Sequence, residues 1–283
     1  MTEPADQPTP LIQIRGLTKR FGDQQVLTGI DLDVYTGEIM VIMGGSGCGK
    51  STLLRHLIGS LTPDAGEVKL FGEELTMMTE SELNEIRKRF GILFQSGALI
   101  NSLTVGENVA LPLREHTDLD EPTIQIMIKI KLELVGLREH TDKMPAQLSG
   151  GMKKRAALAR AIALDPKILF YDEPSAGLDP VTSAQIDRLI IDLTRKLSVT
   201  SVVVTHEMDS AFAIADRMCM LDKGVVLKVG SRREFEILRD TPPDQLSTDQ
   251  DRLIHQFLRG APEGPLTRRK ESSDYEEDLL RLV

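Results

Sequence analysis

The sequence predicts an α/β fold, a largely parallel sheet with helices between its strands. Three observations predict it. Short, unbroken apolar runs stand at Glu38–Met43 (EIMVIM), Lys167–Tyr171 (KILFY) and Thr200–Val204 (TSVVV). Runs of that length without alternation mark strands covered on both faces. Helical patterns lie between them: one begins near Gly49 with Leu53, Leu54, Leu57 and Ile58 on a single face, another spans Pro180 to Leu197. Strand and helix in alternation is the signature of a parallel sheet.

The remaining elements follow in order. Residues 1–10 are rich in Pro and polar residues and read as a flexible tail. Leu11–Arg15 and Gly29–Tyr35 read as strands, the latter with alternating Ile30, Leu32 and Val34. Thr62–Gly66 is a turn before a strand at Glu67–Phe71, and Ile92–Phe94 is a further short strand. From Gln95 to Ser149 the pattern is mainly helical. Within it Thr123–Val135 places Ile124, Ile126, Ile128, Ile130, Leu132 and Leu134 at period two, a strand signal, while Ile124, Ile128, Leu132 and Val135 make a helical stripe. Met208–Ala215 reads as helix, and Met218–Leu221 with Val225–Val229 as a hairpin about Lys223-Gly224. Past Gly230 the character changes, and the chain closes on the charged segment LTRRKESSDYEEDLLRLV.

Composition excludes several classes. The 34 Lys and Arg against 43 Asp and Glu give a formal charge of −9, which argues against nucleic acid as a partner. Cys48 and Cys219 form neither a zinc spacing nor a disulfide framework, as expected for a reducing setting. The opening residues MTEPADQPTP lack the basic start and apolar core of a signal peptide. No apolar run approaches the roughly 18 residues of a membrane span, so a membrane role is expected to act through a partner.

Five stretches carry chemistry. Gly44–Ser51 (GGSGCGKS) fits GxxxxGK[ST] between a buried strand and a helix, the context that confirms a phosphate-binding loop. Its glycines let main-chain N–H groups converge on phosphate oxygens. Lys50 adds a point charge and Ser51 a hydroxyl for Mg²⁺. Cys48 occupies a position where the backbone does the binding; a redox role is the alternative. In Lys167–Glu173 (KILFYDE), Asp172 would emerge at the strand's C-terminal edge near the metal, with Glu173 one residue on, aimed at a water. His206 follows the strand Thr200–Val204, placed to donate to a terminal phosphate. Gln95 follows Ile92–Phe94, its carbonyl suited to Mg²⁺ or the attacking water. Finally LSGGMKKRAALAR, residues 148–160, is a glycine-rich turn opening a basic helix, the build of an anion seat.

Taken together these residues resemble the nucleotide-binding subunit of ATP-binding cassette (ABC) transporters over about residues 11–230. The motifs fall in that family's order: P-loop Gly44–Thr52, Q-loop Gln95, signature Leu148–Met152, Walker B Lys167–Glu173, D-loop Ser175–Asp179 and switch His206. The resemblance implies a P-loop NTPase cassette with a RecA-like core, an antiparallel β subdomain and a helical subdomain at about 96–148. It therefore favours helix at Thr123–Val135. It gives a cassette over 11–240 and a C-terminal extension over 241–283. ATP with Mg²⁺ is implied, bound by Phe21 on the adenine, by Gly44, Gly45, Ser46, Gly47, Cys48, Gly49, Lys50, Ser51 and Thr52, and by Asp179. The metal falls to Ser51, Gln95 and Asp172, and catalysis to Glu173, His206 and Gln95. Two copies are implied to close head to tail, Ser149, Gly150 and Gly151 of one seating the ATP of the other. Met152 departs from the family's commoner Gln.

Residues 93–116, the LSGGM signature and the tail HQFLRGAPEGP…DYEEDLL look like the ATPase of the maintenance-of-lipid-asymmetry (Mla) systems. That likeness implies a phospholipid-transport motor on the cytoplasmic face of an inner membrane. Its partners would be an integral permease contacting Ser96–Val105, an MCE-domain lipid-binding protein and a further small cytoplasmic subunit. In that family the extension reaches toward the paired ATPase, so a dimer-stabilising tail is expected. A transporter for another small solute remains open. A soluble mechanical ATPase fits less well, since the chain has one P-loop and no sustained heptads. A P-loop kinase leaves LSGGM and His206 without an account.

Overall fold

The computed structural model describes residues 9–265. In chain order, β1 (Ile12–Phe21) and β2 (Gln24–Val34) form an antiparallel hairpin. β3 (Ile39–Gly44) leads through the glycine-rich loop into α1 (Lys50–Leu57). β4 (Ala65–Leu70) and β5 (Glu73–Glu74) return to the hairpin, giving a four-stranded sheet of order β2-β1-β4-β5. α2 (Glu80–Arg87) and β6 (Phe90–Leu93) follow, then the helices α3 (Val105–His116), α4 (Glu121–Leu134) and α5 (Gly150–Ala161). The chain then alternates through β7 (Ile168–Asp172), α6 (Pro180–Lys196), β8 (Thr200–Thr205), α7 (Met208–Ile214), β9 (Arg217–Asp222) and β10 (Val225–Ser231). α8 (Arg232–Asp240) and α9 (Asp249–Arg259) complete the described helices.

The second sheet has six strands in the order β10-β9-β3-β8-β7-β6, parallel throughout except for β10. β3 shows why its sequence is apolar without a break. Ile39, Val41 and Met43 enter the core beneath the helices, while Met40 and Ile42 enter the core shared with the antiparallel sheet. A strand buried on both faces has no polar side to display.

β1 and β2 are longer than the sequence pattern suggests. Gly16 at φ 55° and Gly29 at φ 69° interrupt the alternation, and the pairing register shifts between Ile14 and Leu17 and again beyond it. Bulges of this kind hide the continuity of a strand from a period-two reading. At Thr123–Val135 the chain is helical. Asp120 caps it, its side chain accepting from the Thr123 N–H at 3.1 Å, and Pro122 stands in the first turn. Ile124, Ile128, Leu132 and Val135 are buried, whereas Ile126 and Ile130 are 58% and 48% exposed. The period-two signal was thus the sum of a buried stripe and a solvent-facing pair.

Past residue 240 the chain returns to the core through α9. Leu253, Ile254 and Leu258 of α9 join Phe235 of α8 in the core that holds β3 and β7. The expected N-terminal tail lies outside the described residues except for Thr9 and Pro10, as does the closing segment 266–283.

Candidate nucleotide site

The glycine-rich loop leaves the C-terminal end of β3. Gly44 has φ 154°, and a Cβ there would sit 2.2 Å from the Leu221 carbonyl oxygen, so only glycine lets β3 and β9 run together at this point. Gly47 and Gly49 also take positive φ. Gly49 caps α1 without a side-chain acceptor, leaving the first N–H groups of the helix to an external anion. Lys50 Nζ donates to the carbonyls of Gly44 at 2.8 Å and Gly45 at 3.0 Å, so the ammonium is folded onto the loop and buried. Gly45, Ser46 and Gly47 line the loop, Ser51 is exposed and Thr52 half-buried. Cys48 turns its thiol into the core, where burial pushes its pKa up. A thiol held protonated there is a poor nucleophile, which counts against a redox role.

Three further strand ends meet this loop's edge of the sheet, where open α/β sheets bind ligands. Asp172 ends β7. Burial, then the neighbouring Glu173, raise its pKa, while Arg55, Lys154 and Lys50 draw it down. Its Oδ1 is buried without a hydrogen-bond partner. An orphaned carboxylate oxygen at the sheet edge from which the exposed Ser51 also follows fits a divalent cation that takes its other ligands from phosphate and water. Gln95 follows β6 and shares a cleft with Asp172, Ser96 and Gly177.

Glu173 is 9% exposed and adopts φ 48°, a left-handed conformation uncommon for a residue with a side chain. Its N–H donates to Val204 on β8 at 2.9 Å and its carbonyl accepts from Ala176 N at 3.2 Å. His206, just past β8, donates from Nδ1 to Glu173 Oε1 at 2.8 Å and from its main-chain N–H to Oε2 at 3.3 Å. The imidazole remains largely open to solvent.

Ser149 caps α5, its Oγ accepting from the Met152 N–H at 3.3 Å. A Cβ on Gly151 would lie 2.5 Å from Thr182 Cγ2, and one on Gly150 would lie 3.2 Å from Leu178 Cδ2. These glycines let the helix start approach the first turn of α6 and the segment just before it. Asp179 caps α6, accepting from Val181 N, Thr182 N and Thr182 Oγ1. Phe21 ends β1 on the other sheet, 47% exposed, with Lys19 Nζ 5.7 Å from its ring centre. The fold thus brings Lys50, Ser51, Gln95, Asp172, Glu173 and His206 to one sheet edge, and sets Phe21 and Ser149–Gly151 on separate elements.

Sequence reasoning missed two cations of α5. Lys154 is buried beneath Glu173. Arg160 donates to the carbonyls of Ala98 at 2.8 Å and Gly97 at 3.1 Å, tying α5 to the segment after Gln95. The available signal was periodicity: Gly151, Lys154 and Leu158 fall on one buried face. Also unforeseen is a groove where α1, α2 and β6 meet α3, lined by Ile58, Phe90, Ile92, Phe94, Leu111 and Pro112. In Ser96–Val105, Ala98 and Ile100 are exposed, while Leu99 packs against the core. Asn108 holds that segment through Ile100, Leu103 and Thr104.

The ABC transporter family model matches residues 27–176. The Intermembrane phospholipid transport system ATP-binding protein MlaF of Haemophilus influenzae is 41% identical over 270 residues, covering 95% of this chain and 98% of that protein. The Probable ribonucleotide transport ATP-binding protein mkl of Mycobacterium leprae is 40% identical, covering 96% and 76%. Among solved structures, a dimeric ATP-binding cassette bound to ADP and Pi superposes with a TM-score of 0.72 at 32% identity, covering 78% of this chain and 99% of that one. The phosphate loop, the paired carboxylates and these likenesses agree, and the chain belongs to the ABC transporter family as an ATP-binding, ATP-hydrolysing subunit.

Proposed function

We propose that this subunit drives phospholipid movement between envelope membranes through an integral permease. The supporting observation is end-to-end similarity to MlaF proteins, which spans 95% of this chain and 98% of the relative. The catalytic unit is a head-to-tail homodimer, a reading that draws support from solved relatives that are dimers. A cassette carrying its signature glycines away from its own phosphate loop needs a second copy to use them.

In this reading the P-loop amides and Lys50 hold the β and γ phosphates, and Phe21 stacks on the adenine. Ser51, Asp172 and Gln95 would hold Mg²⁺, which when bound neutralises charge developing on the transferred phosphoryl group. Glu173 orients the attacking water and accepts its proton. His206 donates toward the terminal phosphate and keeps Glu173 turned inward until nucleotide arrives. Ser149 and the N–H groups of Gly150 and Gly151 seat the nucleotide of the other copy, beside Asp179 of the D-loop. The permease enters the groove at Phe90 and Pro112 and touches Ala98 and Ile100. An MCE-domain protein and a small cytoplasmic subunit complete the complex at the inner face of the membrane, with residues 241–283 steadying the pair. No described helix is long and apolar enough to cross a membrane. The permease is the attachment in this reading.

Transport of ribonucleotides is the second reading, favoured by 40% identity to mkl proteins. The discriminating experiment purifies the full complex from membranes and identifies co-purified lipid. It then measures ATP-dependent transfer of labelled phospholipid between vesicles. Bound phospholipid and transfer support the first reading; a complex that moves nucleotides and carries no lipid overturns it.

A further inference from the structure

Lys154 is a buried cation that the reaction as described does not use. It lies on α5, five residues after the Ser149 cap, and is 5% exposed. Its Nζ donates to the main-chain carbonyl of Glu173 at 3.0 Å. Among the described residues it is the one side chain bonded to that main chain. Asp172, Glu173 and Glu207 all hold it electrostatically, against the burial that lowers its pKa.

The arrangement matters because Glu173 sits at φ 48°. A left-handed conformation at a residue with a side chain persists only where its surroundings over-determine it. The N–H of Glu173 is fixed by β8, its carboxylate by His206, and its carbonyl by Ala176 and Lys154. Three of these anchors belong to the sheet edge itself. The fourth comes from the helix whose first turn carries Ser149.

We propose that Lys154 is a positioning residue that sets the backbone of Glu173 from the signature helix. The proposal rests on Glu173 being the base and Ser149 the seat for a second copy's nucleotide. Its consequence is directional. When the start of α5 engages the other copy's phosphate, any shift of that helix is carried to Lys154 and thence to the catalytic carboxylate of its own chain. Each active site is then aligned by the filling of the opposite one.

The test compares Lys154→Met, Lys154→Arg and Glu173→Gln in the full chain, with Mg-ATP turnover over a range of ATP concentrations, nucleotide binding and thermal melting. Lys154→Met should lower kcat by roughly ten- to a hundredfold, the scale of a misplaced catalytic group. KM and nucleotide binding should stay near the parent values. Lys154→Arg should recover most of kcat, since a cation again reaches the carbonyl. A Lys154→Met kcat within twofold of the parent overturns the proposal. So does a loss of kcat that tracks a collapse of melting temperature or binding, or that arginine fails to relieve. Glu173→Gln separates the two claims: normal turnover there removes the base assignment itself, whereas its loss beside an unaffected Lys154→Met refutes the positioning role alone.

Discussion

The burial of α9 predicts that this helix stabilises the cassette as part of one cooperative unit. The sharpest test is a pair of identical substitutions. Ile254 on α9 is fully buried in the core that holds β3 and β7, and Ile237 on α8 is 53% exposed. Truncating a buried isoleucine to alanine removes its transfer free energy and leaves a cavity, costing about 2–5 kcal/mol. For a chain of this size each kcal/mol lowers the melting temperature by roughly 2–4 °C, so Ile254→Ala should melt about 4–20 °C below the parent. Ile237→Ala, which vacates solvent-facing space, should change stability by no more than about 0.5 kcal/mol. The chain has no tryptophan, so far-UV circular dichroism of the full-length protein is the suitable probe. If Ile254→Ala melts with the parent, α9 is an appendage and its packing contributes nothing to the cassette. If Ile237→Ala falls as far, burial is not what distinguishes the two positions.

Other outcomes follow from the site. Glu173→Gln should keep nucleotide binding yet lose hydrolysis by about two to four orders of magnitude, the scale of a general base; normal turnover would remove that assignment. Ser149→Arg should abolish turnover while leaving nucleotide binding to monomers intact, and a parallel loss of monomer binding would sink the trans arrangement. Gly151→Ala should impair activity, because its Cβ would come within 2.5 Å of Thr182 Cγ2; pairing it with Thr182→Ser, which removes that methyl, should recover part of the loss. Asp187 is buried with an unpartnered Oδ1, and burial raises its pKa. A carboxyl that is harder to ionise when folded supports stability below its unfolded pKa of about 3.9 and loses that support as pH rises through the folded value. Asp187→Asn should therefore be more stable than the parent at neutral pH, with the advantage gone in acid. An equal gain at both pH values would contradict the sign.

Local strings revealed most of what is local. GGSGCGKS and KILFYDE each announce a strand end, a turn and a charge in consecutive residues, and the folded chain puts them on one sheet edge. α4 needed context, because its two apolar faces add to a strand-like period that only the folded core can separate. Lys154 was illegible for a different reason. Its partner lies 19 residues away on another element, and a lysine inside KKR reads as one more solvated charge until the helix face is known. The docking of α9 escaped likewise. DRLIHQFL carries an apolar stripe, but nothing in the string says which core receives it.

The place of β3 in its sheet also governs how the protein is made. The strand spans Ile39–Gly44, yet its neighbours on either side are β8, Thr200–Thr205, and β9, Arg217–Asp222. During synthesis the phosphate loop emerges early, while the strands that must flank it follow only from residue 200 onward. Pairings so distant in sequence form slowly, since loop closure precedes any reward. The apolar run IMVIMG therefore spends most of translation without its neighbours, exposed to aggregation or to a chaperone. Nucleotide binding on the nascent chain should begin only once β9 has left the ribosome.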